Sequence, residues 1–213
     1  MRKWVLLAAI MAAPAAAMGQ AAPQAGTPSA NEFAAVMQDE GHRQDVLNAA
    51  QATPGWAQTA CKTATYTQAP EVGVYAPIRF DAQGAPISGE WREGIVVTGC
   101  GQTHRLNVLT KVTAPATLAT GPLLPGSTIA DPVLQNAAQF YALKAAGGLP
   151  PGCTQAYIAD TIFGGYETKP TADTAAAPWQ ETWTLNLCGP PTRITLHFIP
   201  SAQGVSVRAV PAK

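Results

Sequence analysis

Glu93 and Glu181 are the pair of residues best suited to paired-acid chemistry. Each follows a tryptophan by two positions, in Trp91-Arg92-Glu93 and Trp179-Gln180-Glu181. Two equivalent carboxylates related by a pseudo-twofold axis could share a proton as in an aspartic-protease dyad. Spaced further apart in an open cleft, they could serve a hydrolase as acid and base. The Asp-Thr-Gly or Asp-Ser-Gly loop of such dyads is missing; the nearest strings are Asp160-Thr161-Ile162 and Asp173-Thr174-Ala175. Both glutamates also fall inside predicted strands rather than loops, which favours a structural role such as a charge pair with Arg105 or Arg193. Trp91, Trp179 and Trp183 could line a carbohydrate or peptide surface. They share one strand face with Ile95, Val97, Leu185 and Leu187, however, and that grouping marks a core face. Trp91, Glu93, Trp179, Glu181 and Trp183 are therefore the candidate binding residues, with burial as the competing expectation for each.

Other chemistry finds less support. The histidines, His42, His104 and His197, have no metal-ligand spacing, so no metal or cofactor is expected. No G-x-S-x-G elbow supplies a nucleophilic serine. The four cysteines, Cys61, Cys100, Cys153 and Cys188, contain no C-x-x-C pair, which excludes thioredoxin-like redox chemistry and zinc-ribbon spacing. An even count favours two disulfides in an exported chain, which would leave no thiol nucleophile.

The elements that must position these residues are duplicated. WREGIVVTGCGQTHRLNV from Trp91 aligns with WQETWTLNLCGPPTRITL from Trp179. Trp91, Glu93, Cys100, Gly101 and Arg105 match Trp179, Glu181, Cys188, Gly189 and Arg193. The apolar positions agree as well: Ile95 with Trp183, Val97 with Leu185, Leu106 with Ile194, Val108 with Leu196. Upstream, Cys61, Tyr66, Gly73 and Tyr75 correspond to Cys153, Tyr157, Gly164 and Tyr166. Self-similarity of this kind is the trace of repeated structural units. Each unit holds one early and one late cysteine, which favours Cys61–Cys100 and Cys153–Cys188, with a bridge between repeats as the alternative.

Each repeat is expected to open with a helix. In the first, Ser29-Ala30-Asn31-Glu32 has the form of a capping box, and Phe33, Val36, Met37, Val46 and Leu47 supply an apolar face until Thr53-Pro54-Gly55. In the second, Asp131 caps and Pro132 starts a helix that ends before Gly147-Gly148. Strand signals follow at 64–68, 72–80, 91–100 and 105–112, then again at 179–187 and 193–199, where apolar and polar residues alternate. The expected fold is α+β: two tandem repeats, each one helix on an antiparallel sheet of about four strands with its own disulfide. Residues 31–113 form the first repeat and 131–213 the second. The Pro/Gly-rich stretch 114–130 links them.

Composition fits this reading. Charged residues make up 12% of the chain and glycine and proline number 19 each, which suits a turn-rich β-structure. Residues 1–19 read as a signal peptide, with Arg2-Lys3, an uncharged run from Trp4 to Gly19, and small residues for cleavage after Gly19 or Ala21. Residues 20–30 read as a flexible mature N-terminus. Losing Arg2 and Lys3 takes the basic count from 13 to 11 against 13 acidic residues, with no basic cluster left. Nucleic acid and anionic lipid are therefore poor partners, and no membrane span is expected after cleavage.

The pattern W-x-E-x-[IW]-x-[VL]-x-x-C-G-x-x-x-R is similar to strings in uncharacterised exported proteins of proteobacteria, which implies compartment and source but no mechanism. The helix-then-sheet unit also resembles cystatin topology, although the Gln-Val-Gly loop of cystatins has no counterpart here. The sequence thus points to a periplasmic or secreted, non-catalytic module that binds an envelope protein or small ligand. The binding surface is expected between the repeats, or on loops at 85–89 and 169–178, because the polar insertion 167–177 occurs only in the second repeat. An envelope hydrolase using Glu93 and Glu181, and an inhibitor of a secreted enzyme, are the alternatives.

Overall fold

The computed structural model describes residues 30–56, 61–170 and 177–212. The proposed signal peptide and the Ser29 cap lie outside these residues, as does most of the second-repeat insertion.

Two four-stranded antiparallel sheets form, each a simple meander. The first comprises β1 (Thr65–Phe80), β2 (Pro86–Gly99), β3 (Gln102–Ala114) and β4 (Thr117–Pro122). The second comprises β5 (Tyr157–Tyr166), β6 (Trp179–Asn186), β7 (Thr192–Ser201) and β8 (Gly204–Pro211). The duplication extends to register. Glu93 faces Val108 across β2–β3, and Glu181 faces Leu196 across β6–β7, both pairs shifted by the same 88 positions. One disulfide staples each repeat, Cys61–Cys100 and Cys153–Cys188, with Cα–Cα distances of 5.9 and 5.5 Å. Each bridge closes a loop of roughly 35–40 residues and is worth about 4 kcal/mol in the loop-entropy account. Both late cysteines adopt left-handed backbone, φ 50° at Cys100 and 63° at Cys188. At Cys100-Gly101 two successive positive φ values close a two-residue hairpin whose twist matches its strands.

Several details of this architecture differ from the sequence expectation. The first helix is two: α1 (Ala30–Gln38) and α2 (Glu40–Gln51). Asp39 is extended between them, and its carboxylate accepts the His42 amide hydrogen bond at 2.8 Å, so it caps α2. The two signals at 64–68 and 72–80 form one long strand, β1, whose pairing with β2 slips between Gln68 and Val72. The fourth strand of the first sheet lies in the stretch read as linker. β4 has only six residues and ends in Gly121-Pro122, so its composition reads as loop. In the second repeat, α3 (Pro132–Ala145) has the anticipated start: Asp131 accepts from the Leu134 amide at 2.8 Å and Pro132 occupies the first turn.

Each helix covers one face of its sheet. The alternation along β6 is strict, with Trp179, Glu181, Trp183 and Leu185 inside and the residues between them half-buried. Ala138 and Ala142 of α3 pack with Trp183, Leu185, Ile194, Leu196 and Phe198. Val46, Ala49 and Ala50 of α2 do the same against Ile95, Val97, Leu106 and Val108. A smaller cluster around Ile78, Phe80 and Trp91 is closed by Phe33 and Val36 of α1.

The segment from Leu123 to Ala130 docks the repeats onto each other. Asn107 Nδ2 of β3 donates to the carbonyls of Leu124 and Gly126 at 2.7 and 3.0 Å, and Arg92 of β2 reaches the Thr128 carbonyl at 2.7 Å. From the same segment, the Ser127 amide donates to the Thr161 carbonyl of β5 at 2.7 Å, and the Thr128 amide to the Thr161 hydroxyl at 3.1 Å. Gly126 lies so close to β5 that a Cβ there would sit 2.1 Å from the Thr161 carbonyl oxygen, and its φ is 94°. Glycine alone fits that crossing.

Candidate functional site

The duplicated glutamates lie in the two cores, not in a cleft. Glu93 is 1% exposed and Glu181 is 0%. Residues i and i+2 of a strand share a face, so each tryptophan two positions earlier can turn its indole onto the carboxylate. Trp91 Nε1 donates to Glu93 Oε1 at 2.9 Å, and Trp179 Nε1 to Glu181 Oε1 at 3.0 Å. The remaining donors differ. Glu93 Oε1 also receives His42 Nε2 from α2 and the Thr110 hydroxyl, both at 2.8 Å, while Oε2 takes Gln68 Nε2 at 3.0 Å. In the second repeat Trp183, standing where Ile95 stands, donates to Oε2 at 2.8 Å, and the Ile129 amide reaches Oε1 at 3.0 Å. Where Thr110 donates in the first repeat, Phe198 stacks on Trp179 instead, rings 4.8 Å apart and nearly parallel.

A buried carboxylate is costly unless hydrogen-bonded to several donors, and each glutamate has at least three. Each also ties the segment that precedes its sheet to the strand face: α2 through His42, the docking segment through Ile129. The expected arginine partners are elsewhere. Arg105 pairs with Glu71 at 2.6 Å, and Arg193 is exposed. Trp91 and Trp183 are fully buried and Trp179 nearly so, which puts all five candidate binding residues inside the repeats. His197, the third histidine, sits near the base of the insertion and bonds Glu167.

A cleft does form between the repeats, from residues that the internal alignment does not match with one another. It has a volume of about 160 Å³. One wall is the turn after α2, with Thr53, Pro54, Gly55 and Trp56. Another is the hairpin end of β2–β3 with the Cys61–Cys100 bridge, Gln102, His104 and Arg105. The third is the start of β5, with Tyr157, Ala159 and Asp160. Gly55 makes this junction possible: φ is 86°, and a Cβ would meet the Tyr157 ring at 2.2 Å. Trp56 and His104 lie with ring centroids 5.6 Å apart, and Trp56 Nε1 donates to the Tyr66 hydroxyl at 3.0 Å. Burial pushes the Asp160 carboxyl above the usual range, only partly opposed by the Thr161 backbone hydrogen bond and the His104 charge. A neighbouring hollow of about 330 Å³ shares Pro54, Pro125 and Tyr157, but no Asp, Glu, Lys, Arg or His lines it among the described residues.

No family model, curated protein or solved structure matches the chain. Its chemistry must therefore be read from its own geometry. The signal for the cleft in the sequence was slight: Trp56 follows a Pro-Gly turn without a repeat counterpart, and Asp160 belongs to a string set aside as a failed protease motif. Only docking of the repeats brings them together. Among the described residues no group of three His, Cys, Asp or Glu side chains could hold a metal. No described helix is long and apolar enough to cross a membrane.

Proposed function

We propose that this chain is an exported, disulfide-stapled binding module that works without catalysis, and that the cleft between its repeats is the binding site. The observation that carries this reading is that the duplicated glutamates are enclosed in the two cores while an open cleft forms where the two copies meet. The glutamates that a hydrolase would need are enclosed by tryptophan, histidine, threonine and amide donors, out of reach of substrate. Side chains with polar ends and aromatic faces converge instead where the two copies meet. Small-molecule sites favour such junctions, with a mostly apolar lining and a few placed polar groups. Export is supported by the basic-then-apolar N-terminus and by two disulfides, which persist in oxidising compartments.

Two experiments test the reading. Fractionation of expressing bacteria should place the chain in the periplasm or medium with a new N-terminus at Gln20 or Ala22; retention in the cytoplasm at full length would contradict export. Purified mature protein should leave peptidoglycan, peptide and ester substrates intact. Hydrolysis that disappears in Glu93→Gln while the fold persists would overturn the non-catalytic assignment.

A further inference from the structure

We infer that the inter-repeat cleft recognises an organic cation of side-chain size, an ammonium or guanidinium group seated against Asp160 beside Trp56, Tyr157 and His104. This rests on the cleft being the binding site and names its ligand class.

Charge balance within the cleft carries the inference. Arg105 is the one arginine in the lining among the described residues, and its Nη1 is held by Glu71 at 2.6 Å, so its charge is compensated. His104 Nε2 is occupied by Gln102 Oε1 at 2.8 Å. Among the described residues Asp160 is the only acidic one in the lining, and no ion pair is found for it. Its Oδ1 stands 2.5 Å from where a Cβ on Gly126 would be, so the docking segment lies against it on one side, and the Thr161 backbone hydrogen bond and the His104 charge only partly offset its burial. A half-buried carboxylate without a counter-ion attracts one. Aromatic walls strengthen the choice of an organic cation, since indole and phenol faces attract ammonium and guanidinium groups. The volume of about 160 Å³ admits one side chain, not a folded domain. A free amine and a lysine or arginine projecting from a protein chain would present the same chemistry.

Calorimetry on the mature protein tests this with five probes: cadaverine, acetyl-Ala-Lys-Ala-amide, Nα-acetyl-lysine methylamide, its neutral Nε-acetylated form, and the anionic acetyl-glutamate methylamide. The three cations should bind and the last two should not. Tighter binding of the peptide would mark a protein partner, and tighter binding of cadaverine a free amine. Asp160→Asn should weaken cation binding by about tenfold or more, the usual scale for losing a charged hydrogen bond. A second measurement needs no variant. Binding by the unaltered protein should weaken as pH falls through the raised Asp160 range; His104, Arg105 and Tyr157 are the other titratable side chains that face the cleft among the described residues. If neutral and anionic probes bind as well as cations, the cleft reading stands and the cation assignment falls. Silence from every probe at millimolar concentration overturns both.

Discussion

At the scale of single residues, Trp-x-Glu is the repeated device. A strand brings residues i and i+2 to the same face, so an indole N–H can satisfy part of a carboxylate that would otherwise be prohibitive to bury. Glu181→Leu should leave Trp179, Trp183 and the Ile129 amide with unpaired donors in a closed core. The expected loss is about 3–5 kcal/mol, the scale for removing one partner of a buried charged network. Thermal melting should show it as a fall of roughly 6–20 degrees for a chain of this size; an unchanged midpoint would contradict the hub. Asp160 behaves oppositely. Its carboxyl binds protons more tightly in the folded chain than in the unfolded one, so ionising it costs stability as pH rises through its raised range. Asp160→Asn should therefore melt higher than the unaltered protein at pH 7, with the gap closing below pH about 4, where both states hold the proton. An unchanged gap across that window would mean that burial does not govern this group.

Elements separate what patterning reveals from what it conceals. The disulfide pairing, the capped α3 and the alternating face of β6 were legible because each depends on local spacing and on the duplication. The division at Asp39 was not, since a cap inside an apolar-periodic run looks like continuing helix until Asp39 turns out extended. β4 was hidden by Gly121-Pro122, and β8 by a sequence whose exposed edge carries little apolar rhythm. The partners of Glu93 and Glu181 escaped because arginine is the obvious cross-strand mate, whereas the donors come from α2, from the docking segment and from tryptophans first read as possible ligand platforms. Two expectations belong at this scale. Peptide mapping without reductant should recover Cys61 joined to Cys100 and Cys153 joined to Cys188; a Cys61–Cys153 peptide would contradict the staples. Gly126→Ala should cost about 2–4 kcal/mol from overpacking and left-handed strain, read as a lower denaturant midpoint.

For the whole molecule, the duplication builds two cores and the docking of the two copies builds the cleft. The second repeat replaces α1 with the docking segment, and that segment fixes β5 beside the turn after α2, leaving a cleft with Asp160 at its edge. None of this proximity is written in periodicity, because Trp56 and Asp160 are about a hundred residues apart and line one cleft only through docking. The most direct test is a pair of amide and indole NMR spectra of the mature protein, with and without Nα-acetyl-lysine methylamide. Shifts confined to 53–56, 99–106 and 157–160, absent in Asp160→Asn, are the expected result. An unchanged spectrum, or shifts centred on the outer face of α3 or elsewhere outside the cleft, would contradict the account.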